Sequence, residues 1–587
     1  MARHDIVITG AGIVSSIGIG VDAVAASLSA KRSGIGAMRY LSARHNELPV
    51  GEVKMSNDEM KSQLGISRDD TVSRTTLMGI LAVKQALDAA GISGGTPKRI
   101  ILISGTTVAG MDITEQRFSK MMTSGVKDVC LDHHTCGSCT ADIAGYFHVF
   151  SDFTTISTAC SSALNALILG ADMLKAGDAD MVVAGGSEAL SQFHLDGFNA
   201  LMILDKARCR PFDKDRQGLN LGEGAAYLVL EREEAAVARK AHIEAYLSGY
   251  GNACDAYHQT ASSPEDIGAQ IAMREALEMS GLKPHDVQWV HAHGTGTPDN
   301  DSSESAAIKK VFGDSIPVVS STKAFTGHTT SASGGISAVI SLIALHQNFV
   351  PDSLGFAQPM DNGLKPAMDN IPCTLHHVMV NSFGFGGNDS SMILSKESRA
   401  GRQEHFISDE QVIEAARVEN TDPGLLKDIK LFVKPMEARR MGKLMKNTLL
   451  TSLKALQQSG IDMPDAIVTG TKWGSLECSE QLLLQLAQGD DMFKPTFFMQ
   501  STHNTCGSLI AIHLKCHGYN VTFSQDDRSM EWALYQARLL LRSGRCKTVL
   551  VGCHDESTPL FDKFRESAGD SPQPSVGSVA VVLKLKE

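Results

Sequence analysis

Nowhere in the 587 residues does an apolar run approach the ~18 residues of a membrane-spanning helix. Excess positive charge is missing too. Lys and Arg number 54 against 66 Asp and Glu, a net charge of −12, which disfavours a nucleic-acid binder. The 12 cysteines follow no disulfide framework. CGSC at 136–139 has redox or metal spacing, but no second CxxC or CxxH pair completes a zinc site, so reduced thiols are expected. No GxxxxGK[ST] occurs, and TGAGIVSSIG places Ser15 at the third glycine of a GxGxxG pattern. Neither a P-loop nor a Rossmann fingerprint is therefore expected. No leader-like segment precedes IVITGAGIV, so a cytoplasmic protein is expected.

What is present is alternation. Strand-like runs lie at 6–9, 99–104, 181–184, 225–230, 289–292, 318–320 and 378–381. Amphipathic helical stretches such as 75–90 and 269–280 fall between them. The pattern predicts α/β architecture, with sheets covered by helices. At this length two or three domains are expected. The charged segment KESRAGRQEH at 396–405 reads as a boundary, after which the alternation resumes.

Four clusters carry chemistry-bearing residues. In TISTACSSALNAL, Cys160 sits between a strand-like run and a helical pattern. A thiol at a helix N-terminus gains from the dipole and the free amides, which favour thiolate and oxyanion alike. HAHGTGTPDNDSSE (291–304) puts His293 at a strand end before a glycine turn. SSTKAFTGHTTSASGG (320–335) supplies Lys323 and His328, and NSFGFGGNDSS (381–391) alternates Phe383 and Phe385 with glycine. The last suits a mobile apolar gate with exposed backbone amides. Each cluster alone has a purely structural explanation, and a buried cysteine or histidine is common.

Together, TACSS, VAGGSEA, RPFDKDRQGLNLGEGAA, AHGTGTP, STKAFTGH and NSFGFGGN make residues 1–398 resemble an elongating β-ketoacyl-acyl-carrier-protein synthase. The resemblance implies the thiolase-like fold, an αβαβα five-layered core of two similar halves (1–240 and 241–398). It implies Cys160 as nucleophile and His293 with His328 as the paired histidines. Lys323, Glu304 and Asp301 become supporting polar residues. Phe385 becomes the gate beside Phe383, with the Cys160 and Phe385 N–H groups as oxyanion hole. It implies no metal and no diffusible cofactor, since the acyl chain arrives on the phosphopantetheine of an acyl carrier protein. Ser302 stands where the family commonly has lysine, so part of the charge network is altered. Thiolases and Cys–His–Asn ketosynthases fit less well, and a scaffold without catalysis would not need the full Cys–His–His set.

The remaining chain repeats the first part. TFSQDDRSMEWAL from Thr522 aligns without gaps on TISTACSSALNAL, and 522–555 against 155–188 gives 9 identities in 34 positions. Upstream, NTCGS (504–508) echoes HTCGS (134–138). No second AHGTGT, TGH or GFGG follows. Asp527 stands at the place of Cys160, and a carboxylate is a poor acyl acceptor from a thioester. Residues 405–587 thus resemble a truncated, catalytically dead chain-length factor, of the kind found in type II polyketide and aryl-polyene systems. The expectation is that this half-domain pairs with its own ketosynthase as a pseudo-dimer through the Thr155 strand, and that bulky Met530, Trp532 or their neighbours limit the acyl chain. The alternatives are an ordinary homodimer with the extra domain hung outside, and a decayed copy that only packs. Arg439, Arg440 and Lys443 form the candidate carrier-docking patch.

Overall fold

The computed structural model describes residues 5–92, 99–361, 363–398, 406–489, 493–570 and 574–586. Most of the boundary segment at 396–405 lies outside the described residues. Among those described, no helix is long and apolar enough to cross a membrane.

One five-stranded unit occurs three times. The first contains Ile6–Ser15, Ile100–Gly105, Asp152–Ile156, Met181–Glu188 and Gly224–Arg232. The second contains Ala245–Cys254, Trp289–His291, Val318–Ser320, His377–Gly384 and Asn388–Ser395. The third contains Val412–Asn420, Ala466–Gly470, Tyr519–Phe523, Thr548–Glu556 and Val576–Leu585. Within each unit the spatial order is first, fifth, fourth, second, third. The first and second units meet edge to edge over only two residue pairs, Val7 with Tyr246 and Ile8 with Ala245. They are otherwise stacked face to face around two helices, Ser162–Ala176 and Ser333–Gln347. Both helices are buried on nearly every side, as a place between two sheets demands, and both are rich in apolar residues. With Arg74–Ala89 outside one sheet and Ile267–Ser280 outside the other, the layers read α, β, α, β, α.

The third unit continues the first across a local two-fold. Ile156 faces Phe523 in antiparallel register. Ser157 N–H donates to the Thr522 carbonyl and Ser524 N–H to that of Thr155, each at 2.9 Å. These two bonds are related by the repeat itself, since Thr522 and Ser524 align with Thr155 and Ser157. Beside the strands the two halves share one apolar core, with Leu164 and Leu167 from one and Val521, Phe523 and Trp532 from the other. Polar ties flank it. Arg528 forks onto Asp152 at 2.6 and 2.9 Å, and Arg545 reaches the buried Asp172 at 2.9 Å. The half-domain therefore occupies the edge of the Asp152–Ile156 strand.

Each unit also makes the same elbow after its third strand. A non-glycine residue takes positive φ (Ala159 at 50°, Thr330 at 43°, Asp526 at 47°) and opens a short 3-10 turn. That backbone is strained for a residue with a side chain. The half-domain keeps the strained geometry although Asp527 has replaced the thiol.

Candidate active site

Two of these elbows face each other and build the site. Cys160 sits in the first, ahead of the helix Ser162–Ala176, and His328 lies just before the second. Cys160 Sγ is 3.0 Å from His328 Nε2. His293, beyond the end of Trp289–His291, places its ring 5.3 Å from that of His328, edge to face. All three are buried, and their nearest ligating atoms lie within 4.8 Å of one another.

The polar groups behind them are divided in role. Lys323 Nζ lies 3.3 Å from His293 Nδ1 and also donates to the His293 carbonyl. An ammonium there makes Nδ1 an acceptor and leaves the proton on Nε2. Glu304 takes the His293 and Gly294 N–H groups at 2.8 and 2.7 Å and the Asn381 amide at 3.2 Å. Asp301 stands farther back, accepting the Phe212 and Gly296 N–H groups and lying 3.6 Å from Arg216. Arg216 also donates to Ser302 Oγ at 2.8 Å. That cation occupies the neighbourhood where a lysine at 302 was expected to contribute charge.

Burial sets the protonation states. It pushes the Cys160 thiol up to about 12, while nearby Lys323 and the Phe385 and Cys160 N–H groups pull the other way. It holds His293 and His328 well below the usual imidazole value, with Lys323 adding to the effect. It lowers Lys323 to about 8 against the pull of Glu304, and raises Glu304 to about 7 against its N–H donors. The resting site thus holds thiol and neutral imidazoles. His328 Nδ1 has no hydrogen-bond partner among the described residues, so its tautomer is not fixed as that of His293 is.

A cavity of about 250 Å³ leads to the cluster, lined by Met202, Gln217, Thr260, Asn300, Phe383 and Phe385 among others. Phe385 stacks on Phe198 with ring centres 5.7 Å apart, and Phe383 packs near His293. Behind Cys160 run three smaller cavities of about 40, 30 and 40 Å³, which share walls in sequence. Phe193, Phe198 and Phe498 line the first, His134, Cys136 and Lys472 the second, and Phe118, Trp473 and Phe564 the third. All three lie between the catalytic part and the half-domain.

The predicted residues Cys160, His293, His328, Lys323, Phe383 and Phe385 come together. Glu304 and Asp301 hold backbone around them. Met530 and Trp532 line none of these cavities, which corrects the expected chain stops. Trp532 turns toward its own sheet, stacked on Phe523 and edge-on to Tyr535. The half-domain wall comes instead from Lys472, Trp473 and Phe498. Asp527 is exposed and pairs with Lys472 at 2.9 Å, and CGSC opens the helix Cys136–Phe147 with both thiols free and buried. Asn504 and Phe498 were missed by the sequence reading. For Asn504 the signal was there, since NTCGS is the counterpart of HTCGS.

Comparison with known proteins agrees with this geometry. Residues 3–236 match the family described as Beta-ketoacyl synthase, N-terminal domain, and 244–357 match Beta-ketoacyl synthase, C-terminal domain. Residues 415–586 match a second N-terminal-domain family of the same description. The 3-oxoacyl-[acyl-carrier-protein] synthase 2 of Coxiella burnetii is 33% identical over 417 residues, covering 68% of this chain and 99% of that protein. The ketosynthase ApeO, solved in complex with its chain length factor ApeC from Xenorhabdus doucetiae, is 29% identical with a TM-score of 0.59. The match covers 68% of this chain and all of that one. The PfaC keto synthase–chain length factor matches 99% of this chain and 78% of its own at a TM-score of 0.81. At 16% identity that likeness speaks for the fold. The chain belongs to the β-ketoacyl synthase family and has its thiolase-like fold.

Proposed function

We propose that this enzyme condenses an acyl chain held on Cys160 with a malonyl group, both delivered by an acyl carrier protein in the cytoplasm. The observation that carries the reading is the buried Cys160–His328 contact of 3.0 Å, with His293 alongside at the inner end of the entrance cavity. In the first step Cys160 Sγ attacks the carrier thioester. Its proton passes by way of His328 to the departing carrier thiolate, and the acyl–carrier C–S bond breaks as the acyl–Cys160 bond forms. The tetrahedral oxyanion rests on the Cys160 and Phe385 N–H groups. In the second step the malonyl C–CO₂ bond breaks and its electron pair is left as an enolate. Neutral His293 and His328 donate Nε2–H to the enolate oxygen. The carbanion then attacks the acyl–Cys160 carbonyl. A C–C bond forms, the Cys160 thiolate leaves, and one proton taken up from solvent restores the thiol, which balances the carboxylate charge lost with CO₂. No cofactor is required beyond the carrier's phosphopantetheine.

The division at 240/241 and at 398/405 belongs to the same proposal. The third unit has Asp527 in place of the nucleophilic thiol and, in its sequence, no counterpart of the His293 and His328 motifs, so it acts as a dead partner. It walls the acyl channel with Phe498 and Trp473 and limits product length. A purely structural role for it is less favoured, because its side chains line all three inner cavities. Arg439, Arg440 and Lys443 are exposed beside Met441 and Met445, which share a cluster with Ala256 at the entrance loop. An acidic carrier docks there. The test is mass spectrometry of carrier-bound products from malonyl-carrier and a panel of acyl primers. Two-carbon elongation that disappears in Cys160→Ala is expected. Elongation retained by that variant refutes the assignment.

A further inference from the structure

The half-domain touches the catalytic machinery at a second place. The turn Phe385, Gly386, Gly387 joins the strands His377–Gly384 and Asn388–Ser395. Gly386 and Gly387 have φ of 86° and 74°, which suits glycine, and the turn contains one internal bond, Gly387 N–H to the Gly384 carbonyl at 3.0 Å. Its other anchors come from outside. Gly386 N–H donates to the Gln259 carbonyl at 2.7 Å. Asn504 Nδ2 of the half-domain donates to the Phe385 carbonyl at 2.8 Å and to Asn388 Oδ1 at 2.5 Å. One amide therefore bridges the two ends of the turn.

Asn504 is fully buried and is the N-cap residue of the helix Thr505–Leu514. An asparagine at that position ordinarily caps its own helix. Here its side chain makes no cap bond and turns to the Phe385 carbonyl instead. Its counterpart in the first unit, His134, bonds Thr114 at 2.8 Å. Among the described residues the third unit contributes no gate turn, and Asn504 holds the one made by the second unit. Asn388 Nδ2 in turn donates to the Asn520 carbonyl at 3.1 Å, a second tie from the half-domain to the same turn.

We propose that Asn504 is a positioning residue for the oxyanion hole: by fixing the Phe385 carbonyl it fixes the Phe385 N–H aimed at Cys160. The inference rests on the function proposed above. It gives the half-domain a part in acyl transfer that is separate from walling the channel.

The test uses the full chain with Asn504→Asp, which keeps the shape and removes both N–H donors, and Asn504→Ala as a second variant. Three quantities are measured: acylation of Cys160 by acyl-carrier, decarboxylation of malonyl-carrier, and melting temperature. Acylation should fall about 10- to 100-fold, the scale expected when a reacting group is misplaced by about an ångström. Decarboxylation relies on His293 and His328 and should stay within about twofold. Ser508→Ala, on the same helix and packed against Gly386 without a bond to it, should acylate as wild type. Wild-type acylation in both Asn504 variants overturns the proposal. So does a parallel loss of acylation, decarboxylation and thermal stability, which is what a merely structural residue gives. If the unaltered chain fails to acylate Cys160, the functional reading falls and this inference with it, and that is seen before any variant is made.

Discussion

Malonyl decarboxylation should have a bell-shaped pH profile whose two limbs are set by Glu304 and Lys323. Burial lowers the Lys323 ammonium to about 8, and it is the charged form that donates toward His293 Nδ1. Losing that proton above pH 8 frees the His293 tautomer, so the Nε2–H offered to the enolate is no longer guaranteed. Burial raises Glu304 to about 7, and it is the carboxylate that accepts the His293 and Gly294 N–H groups on separate oxygens. Protonation below pH 7 weakens that grip and withdraws the negative charge that supports the ammonium. With limbs near 7 and 8, about 60% of the enzyme is correctly protonated at pH 7.5 and about 9% at pH 6 or 9. The rate should therefore fall about sevenfold on either side of the optimum. The assay is CO₂ release from malonyl-carrier at saturating substrate, with Cys160→Ala used to separate it from condensation. Lys323→Met should be slower and should lack the alkaline limb. A wild-type profile flat from pH 6 to 9, or an alkaline limb that survives in Lys323→Met, refutes the argument.

Replacing either histidine by alanine removes one enolate donor, and decarboxylation should drop at least about 100-fold, measured by the same CO₂ release. Phe498→Leu should open the first inner cavity toward the second and shift products to longer chains, read by mass spectrometry, at a stability cost of about 1 kcal/mol. Arg545→Leu leaves Asp172 buried beside the Tyr250 hydroxyl without this cation, and should destabilise the chain by about 3 kcal/mol in denaturant unfolding. Reversing Arg439 and Arg440 to Glu should raise KM for acyl-carrier and leave KM for a small acyl-thioester unchanged. An equal rise for both places docking elsewhere.

The site was legible in the sequence where chemistry and position coincide. Cys160 sits in one elbow and His328 just before another, and an elbow leaves a signature of small residues before an apolar helix. His293 follows a strand into a glycine turn. Such local patterns fix which strand end a side chain leaves from. They do not fix which way a side chain on a helix points, and that is why Trp532 was misread. Two residues earlier or later on the helix Ser529–Arg542 is a different face, and position 532 faces its own sheet. The true wall comes partly from Pro495–Gln500, a short helix outside the ungapped part of the repeat match. Arg216 was hidden for another reason. Its partners Asp301 and Ser302 lie some 85 positions away, and only the fold brings them together.

The two nucleophile-type helices make the case for a maintained partner. Ser162–Ala176, reading SALNALILGADMLKA, lies between two sheets and is buried nearly throughout. Ser529–Arg542, reading SMEWALYQARLLLR, follows the corresponding strand but has no second sheet above it. A copy that had simply lost its other half would present an apolar face to water. Here that face carries Tyr535, Arg538 and Arg542 in its place. Arg538 pairs with Asp409 at 2.8 Å, Arg542 donates to the Ile407 carbonyl at 3.3 Å, and Tyr535 bonds Asp178 of the catalytic part at 2.8 Å. The polar groups thus do two things at once. They make the truncated unit compatible with solvent, and through Tyr535 they tie it to Asp178, just past the end of the helix that follows Cys160. Together with Asn504 on the gate turn and the elbow held at Asp526, they support a half-domain that serves the catalytic part it faces rather than a remnant that merely packs.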